Sequence, residues 1–369
     1  MNIYIRGERR WQKKLAQKMS FSISDLPEKN VSSNNDGLIS SLKYYNKKLS
    51  LPSIEWLFDV TDKVDCDLYI ESGSRVLKTS KNYATYVENG VGVFSYNLGK
   101  NNCLNRFIIN KLVSKDNFKG FVFYSESSRK SFINCFSGNE LFIEKAGPVI
   151  YPLVDVERKK SDLIKKRIGF CSSNFYLKGG AEVLSVAKRL PKLSFDIITN
   201  ISKLTEETLN NIPSNINLID FNLTDDEFIN HAVDNWDIYL HATFFDTVPL
   251  TPLEMIKCGI PVISTDTFAI SEYVVDGVTG ITINNNKNPF NSDFLPNKKV
   301  KYLGDVIHEL SKSGTVDEQM VGLLEDAINE LYSNYNDYTQ RLDDFLVETE
   351  CFSVEYIKKQ WLDFFNGKI

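Results

Sequence analysis

Several groups in the second half of the chain could hold a ligand that carries both a diol and a negative charge. Glu254 lies in a predicted helix over 251–257, where its carboxylate can accept two hydrogen bonds from neighbouring hydroxyl groups. Leu250 and Thr251 lie at the start of this helix, and backbone N–H groups at a helix N-terminus point at anions. Lys178 follows a predicted strand and supplies a compact positive charge.

The elements around these groups alternate between strand and helix. The β-branched run 261–265 has no polar alternation, as expected of a parallel strand that is covered on both faces. Strands are predicted over 167–171, 193–199, 216–221, 236–242 and 261–265, and helices over 180–190, 225–233 and 251–257. This order predicts a doubly wound α/β sheet, in which ligands bind at the carboxyl ends of the strands.

The first half of the chain repeats the same architecture. Strands are predicted over 2–5, 67–71, 83–87 and 120–125, with Ser125 as the N-cap of a helix over 126–136. The segment 144–162 contains two prolines and a charged run, which is typical of a linker. We therefore predict a Rossmann-like domain over 1–153, a second one over 154–345, and a final helix over 346–369.

Length and composition support a two-domain globular protein. The 369 residues are 42% hydrophobic and 25% charged, and the apolar runs fall short of the roughly 18 residues that a membrane-spanning helix needs. The N-terminus has a strand before its charges, the reverse of a signal peptide, so we expect a cytoplasmic protein. The net charge is +7 over residues 1–150 and −12 over the remainder, so the two halves have different surroundings.

The residue types that usually bind metal ions form no recognisable motif. Six cysteines lie far apart without a C-x-x-C pair, and we interpret them as buried thiols. The spacing of the three histidines fits no metal site. Asp65-Cys66-Asp67 has the form of an Asp-x-Asp metal motif, but it opens an apolar strand. We expect no bound metal and no nucleic-acid partner.

The window 241–281 combines many of these features at fixed spacings. Asp246 and Glu254 are separated by seven residues, a C-G-I-P-V-I run follows over 258–263, and Glu272 precedes D-G-V-T-G at 276–280. This pattern resembles the signature of the family 4 glycosyltransferases, and weaker similarity extends it to about residues 118–365. The resemblance implies the GT-B fold, with two Rossmann-like domains facing across a cleft and the last helix returning to the first domain.

The resemblance also implies a reaction. It predicts that a hexose moves from a nucleoside diphosphate sugar, most readily a UDP-sugar, to a glycan or lipid-linked acceptor, with retention and without a cofactor. Such enzymes assemble bacterial surface polysaccharides or glycoconjugates. Lys178 would hold the diphosphate and Asp246 would lie near the donor sugar. The remaining residues implied for the donor site are Glu254, Leu250, Thr251, Thr247, Ser173, Asn222 and Glu272.

Departures from the family pattern keep other functions open. Ser172-Ser173 stand where the family has Gly-Arg, and the first domain contains no histidine, whereas many relatives have one near the reacting sugar. A non-catalytic GT-B subunit that binds a partner glycosyltransferase or a glycan is the alternative. A nucleotide-sugar epimerase of the same fold is a third interpretation, but it lacks the expected base in the first domain. The oligomeric state is not predicted.

Two amphipathic helices are predicted near the ends of the sequence. Residues 6–19 carry six cations with Trp11, Leu15 and Met19 on one stripe, which suits contact with an anionic membrane surface, such as the inner face of the plasma membrane, or ordinary packing on a sheet. In the last helix an apolar stripe runs from Ile357 to Phe365. We expect this stripe to bury against the first domain.

Overall fold

The structure is a computed structural model, and it describes all residues except 1, 8, 24–47, 60, 62, 157, 162 and 313. Over the described residues the chain forms two parallel sheets of six strands each, and it divides into two compact units. Unit 1 comprises 1–153, 290–305 and 351–369, and unit 2 comprises 154–289 and 306–350.

The strands and helices alternate along most of the chain. The strands are β1 (Ile3–Arg6), β2 (Ser22–Ile23), β3 (Leu68–Glu71), β4 (Asn82–Val87), β5 (Phe118–Phe123), β6 (Ala146–Val149), β7 (Arg167–Ser172), β8 (Ser194–Thr199), β9 (Ile216–Asp220), β10 (Ile238–His241), β11 (Val262–Thr265) and β12 (Gly280–Ile283). The α-helices are Arg10–Met19, Ile54–Leu57, Cys103–Val113, Glu126–Cys135, Glu140–Glu144, Gly180–Arg189, Glu206–Asn210, Asp225–Asn235, Leu250–Lys257, Leu303–Leu310, Glu318–Ser333, Tyr335–Glu348 and Val354–Phe365. Short 3₁₀ turns cover Gly90–Phe94, Leu98–Lys100, Ile201–Lys203, Ile270–Glu272 and Glu350–Phe352.

The sheet of unit 1 has the strand order β2-β1-β3-β4-β5-β6. Its strands are apolar on both faces because helices pack on each side, as parallel sheets require. Ser125 caps the helix Glu126–Cys135 as predicted, since its hydroxyl accepts the N–H of Ser128 at 3.0 Å. Asp67 at the start of β3 accepts the N–H of Asn2 at 2.6 Å, so this acid fastens two strands together.

The basic N-terminal helix packs on its own sheet. Trp11 and Leu15 are buried, and the Trp11 ring makes edge contacts with Tyr86 and Tyr124 at centroid distances of 5.4 and 5.3 Å. The apolar stripe therefore belongs to the core of unit 1 and is not available to a membrane. Packing on the sheet accounts for the apolar stripe, and contact of the exposed Lys13 and Lys18 with an anionic surface stays a prediction.

The last helix, Val354–Phe365, completes the core of unit 1. Ile357 and Trp361 are buried, and the Trp361 ring meets Tyr86 edge-on at 5.2 Å. Phe365 contacts Phe21 at 5.4 Å. The prediction that this helix returns to the first domain is confirmed.

Residues 290–305, which follow β12, belong to unit 1, where the carbonyl of Phe294 accepts the Ser131 hydroxyl at 2.9 Å. One feature of the described residues differs from the sequence interpretation, because the cysteines are not uniformly buried. Cys135 and Cys258 are buried, but Cys103 is exposed because it begins a helix on the surface. No helix among the described residues is long and apolar enough to cross a membrane.

Unit 2 has the strand order β12-β11-β10-β7-β8-β9. The capping box of Thr224 and Glu227 starts the helix Asp225–Asn235. The long helix Glu318–Ser333 buries one face, including Leu324 and Ile328, against the helix Gly180–Arg189 and the end of the sheet. This packing leaves the carboxyl ends of the central strands to be covered by loops.

Candidate functional site

The candidate site lies where the strand order of unit 2 reverses. β7 is the first strand of the unit, and it lies between β8 on one side and β10 on the other. The loops that leave β7 and β10 therefore diverge at the carboxyl edge of the sheet, which is the place where open α/β sheets bind ligands. Lys178 is in the first of these loops and Asp246 is in the second.

Lys178 and Asp246 form an ion pair across the two loops. The Lys178 ammonium donates to Asp246 Oδ2 and, at 2.7 Å, to the carbonyl of Phe245. The side chain of Lys178 is 19% exposed and that of Asp246 is 20% exposed. The backbone N–H of Thr247 donates to the other oxygen of Asp246 at 2.9 Å. Both oxygens of this carboxylate are thus held in a defined orientation.

A glycine fixes the position of Lys178. Gly179 has a φ of +75°, and a Cβ at this residue would lie 2.1 Å from the carbonyl oxygen of Ala242. Only glycine allows this left-handed conformation together with so close an approach to the end of β10. The N–H of Phe244 donates to the carbonyl of Leu177 at 3.0 Å, so backbone contacts also join the two loops.

The loop after β10 is supported from behind by buried polar side chains. The Asn285 amide donates to the carbonyl of Phe244 at 3.0 Å and to the hydroxyl of Thr267 at 2.9 Å. The Thr265 hydroxyl donates to the carbonyl of Thr243 at 2.6 Å. These bonds hold the backbone that leads into Asp246, and the pattern that identified Asp246 did not include these residues.

The helix Leu250–Lys257 starts directly after this loop. Its N-cap is Pro249, which has no side-chain acceptor, and the Pro249 carbonyl accepts the hydroxyl of Tyr273 at 2.5 Å. The first N–H groups of the helix, those of Leu250 and Thr251, therefore receive no side-chain cap and are suited to an anion. Glu254, one turn further along, is buried with 6% of its surface exposed.

The other residues predicted for the donor site lie at different places along the carboxyl edge of the sheet of unit 2. Thr247 is buried next to Asp246, and its carbonyl accepts the N–H of Ala269 at 3.1 Å. Glu272 ends a 3₁₀ turn after β11 and is half-buried. Ser173 is exposed at the end of β7, and Asn222 is exposed after β9, the edge strand two positions away from β7. The structure thus brings Thr247 into the immediate surroundings of the ion pair.

The electrostatics of the site keep Asp246 ionised. Burial alone would raise the pKa of Asp246, but the Lys178 ammonium outweighs burial and holds the pKa well below its usual range. A carboxylate with these partners cannot serve as a proton donor near neutral pH. It can orient the lysine and accept hydrogen bonds from hydroxyl groups.

His241 is a member of this site that the sequence interpretation missed. It ends β10, is buried, and its Nε2 lies 3.5 Å from Oδ2 of Asp246. A single histidine at the end of an apolar strand gives no signal of its own. His241 precedes Asp246 by five residues, and the two side chains approach each other only because the loop folds back over the end of the strand.

Comparison with known proteins agrees with this geometry. Residues 165–294 match the family model described as "Glycosyl transferases group 1". No match to a curated protein sequence was found. HepE of Anabaena, solved in complex with UDP-glucose, is similar over 100% of both chains with a TM-score of 0.60 at 11% identity. WaaG, a glycosyltransferase involved in lipopolysaccharide biosynthesis, is similar over 98% of this chain and 99% of its own, with a TM-score of 0.61 at 12% identity.

These similarities confirm the predicted fold and the predicted resemblance. The chain has the GT-B fold, and its second Rossmann-like domain matches a glycosyltransferase family over the segment that contains Lys178, Asp246 and Glu254. Assignment to family 4 and retention of configuration stay predictions.

Proposed function

We propose that this protein is a glycosyltransferase that moves a sugar from a nucleoside diphosphate to the hydroxyl group of an acceptor. The observation that carries the proposal lies at the switch point of unit 2, where Lys178 is bonded to Asp246 in the loop that leads into the uncapped start of the helix Leu250–Lys257. A buried carboxylate, Glu254, lies one turn into the same helix. The family match over 165–294 supports the same reaction.

The groups of this site have distinct tasks in such a reaction. The N–H groups of Leu250 and Thr251 bind the diphosphate, and Glu254 accepts hydrogen bonds from the ribose diol. Lys178 stabilises the charge that develops on the diphosphate as the bond to the sugar breaks. Asp246 holds Lys178 in place before the donor binds, and it then accepts a hydrogen bond from a hydroxyl group of the donor sugar. The departing phosphate oxygen takes the acceptor proton, so the reaction needs no histidine base in unit 1.

The finer features of the reaction follow from the resemblance. We propose a hexose as the transferred sugar, UDP as the carrier, retention of the anomeric configuration and no metal ion. UDP is favoured because HepE, which shares the fold, was solved with UDP-glucose. We propose a glycan or a lipid-linked sugar as the acceptor, in the assembly of a surface polysaccharide or glycoconjugate. Contact with an anionic membrane would use the cationic face of the helix Arg10–Met19, since its apolar face is buried.

A non-catalytic GT-B subunit is the second candidate function. Ser173 is exposed at the end of β7, where the family has an arginine that would face the diphosphate. A site with one diphosphate cation fewer would not break the bond of a nucleotide sugar at a useful rate. This candidate therefore differs from the first in having no turnover, and its ligand would be a partner glycosyltransferase or a glycan.

The experiment that tests the proposal measures hydrolysis of UDP-, GDP- and dTDP-sugars by the full chain without acceptor. We expect the parent protein to hydrolyse the sugars of one of these three nucleotides and to release the corresponding nucleoside diphosphate. The Lys178→Met variant should release none. Binding of a nucleotide sugar without any hydrolysis, and without transfer to a panel of sugar acceptors, would support the non-catalytic subunit. Absence of binding to every nucleotide sugar would refute the glycosyltransferase and would leave the subunit that binds a partner glycosyltransferase or a glycan.

A further inference from the structure

His241 is a buried ionisable group that the proposed reaction does not use. Its ring packs nearly parallel to Tyr239 at a centroid distance of 6.3 Å, and its carbonyl accepts the Ser264 hydroxyl at 3.1 Å. Nε2 is buried and has no hydrogen-bond partner within the described part of the chain. The nearest charged atom is Asp246 Oδ2 at 3.5 Å, slightly beyond a good hydrogen bond.

Two charged groups act on this ring from the adjoining loops. Asp246 favours its protonated form, whereas Lys178 opposes it. Burial is the largest effect, and the pKa of His241 lies below its ordinary value. Tyr239, the neighbour on its own strand, stays neutral because burial raises the pKa of its hydroxyl far above the usual range. His241 is therefore neutral in the free protein near neutral pH, and Lys178 is the cation that balances Asp246.

A bound diphosphate changes this balance. The ammonium of Lys178 has three protons, of which one meets the Phe245 carbonyl and one meets Asp246. Two negative phosphate groups at the start of the helix Leu250–Lys257 attract the ammonium and weaken its pairing with Asp246. A half-buried carboxylate without a cation is costly, and the ring of His241 is the nearest group that can become one.

We propose that His241 is a positioning residue that takes up a proton when the donor diphosphate draws Lys178 away from Asp246. The proton comes from solvent and goes to Nε2, which then donates to Asp246 Oδ2 and keeps this carboxylate oriented. This inference rests on the proposed function, because it requires a nucleoside diphosphate sugar in the site. Its consequence is that donor binding consumes at most one proton per site and tightens as the pH falls from 8 towards 6.

The first test observes the imidazole of the unaltered protein. The chain has three histidines, so its imidazole signals in NMR are few. His231 is paired with Asp196 at 2.9 Å, and His308 is exposed. The His231→Gln and His241→Gln variants assign the signals. We expect UDP-glucose to raise the pKa of His241.

The second test measures the proton directly by calorimetry. UDP-glucose is titrated into the protein at pH 7 in PIPES and in Tris, two buffers with different ionisation enthalpies that contain no phosphate to compete with the donor. The difference in apparent enthalpy reports the number of protons taken up. A donor sugar is used in place of UDP because its phosphates do not titrate near pH 7. We expect uptake by the parent protein and by His231→Gln, and no uptake by His241→Gln, which retains a side-chain donor. The affinity of His241→Gln should not vary with pH between 6 and 8.

The outcomes separate this inference from the proposed function. Binding of UDP-glucose without proton uptake, or with equal uptake in His241→Gln, overturns the role of His241 and leaves the glycosyltransferase proposal in place. If His241→Gln does not fold, the NMR titration of the parent protein decides alone, and an unchanged His241 pKa on binding overturns the inference. Absence of binding to every nucleotide sugar overturns both.

Discussion

Replacing Lys178 by methionine removes the charge of this side chain and keeps its unbranched chain as far as the ε position, so it isolates the role of the ammonium. In the free protein the ammonium is already bonded to Asp246 and to the Phe245 carbonyl. Donor binding therefore exchanges one anionic partner for another, and the net gain in ground-state affinity is small. The additional negative charge that develops on the diphosphate as the bond breaks has no counterpart in the free protein. The attraction between Lys178 and this additional charge is therefore not offset by the loss of another partner.

The expected effect is consequently large on turnover and small on binding. Loss of one group that stabilises a developing oxyanion usually lowers kcat by about 100- to 1,000-fold. Because Lys178 exchanges partners on binding, we expect the donor Kd of Lys178→Met to rise by less than about 10-fold, the equivalent of 1.4 kcal/mol. Lys178→Arg keeps the positive charge but not the compact geometry of the ammonium, so its kcat should lie between those of the parent protein and Lys178→Met.

The assay measures kcat by release of nucleoside diphosphate and Kd by calorimetry with the intact donor. Lys188→Met serves as the control, because Lys188 is exposed on the helix Gly180–Arg189 of the same unit. Equal losses in affinity and turnover for Lys178→Met would show that Lys178 binds the ground state and the transition state alike, which contradicts the reasoning. Unchanged turnover would exclude Lys178 from catalysis.

Two further substitutions test the donor site and its support. Glu254→Gln should weaken donor binding by about 10- to 100-fold, since a hydrogen bond to a charged group contributes about 1.5 to 3 kcal/mol, and calorimetry against the exposed control Glu348→Gln checks this. Unchanged affinity in folded Glu254→Gln would place the ribose elsewhere. Gly179→Ala should cost at least about 1 to 2 kcal/mol in denaturant unfolding, because alanine at a φ of +75° is strained and its Cβ meets the Ala242 carbonyl, and it should also lower turnover. Gly322→Ala, in an open helical position, should be neutral or stabilising, and equal stability of the two variants would contradict the role of Gly179.

Most strands of the two sheets could be predicted because their signals are local, whereas β6 at Ala146–Val149 lies within the segment that was interpreted as a linker. The run at 261–265 is apolar without alternation, and it forms β11 at 262–265 between two other strands. Thr224 and Ser125 cap the helices that they precede, because a hydroxyl or carboxylate at this position meets an otherwise unpaired N–H. Elements of this kind depend on neighbours within a few residues.

The site could be predicted only where a fixed pattern named its residues. Lys178 and Asp246 were identified, but their pairing depends on the positive φ of Gly179 and on contact between two loops that lie 68 residues apart. His241 could not be identified, because its approach to Asp246 depends on the conformation of a loop, which no periodic pattern in the sequence indicates. Asn285 was missed for the same reason, since a lone asparagine in a polar stretch is typical of a turn.

The interleaving of the two units has a consequence for how the protein is made. Unit 1 begins with residues 1–153, but its core includes Trp361, which packs on Tyr86. At about 5 to 20 residues per second, a ribosome needs about 10 to 40 s to travel from residue 153 to residue 361. During this interval the nascent first unit exposes the aromatic surface that Trp361 later covers. The first unit to be synthesised is therefore among the last parts of the chain to complete its fold, and a chaperone that shields aromatic surface would act on it in that interval.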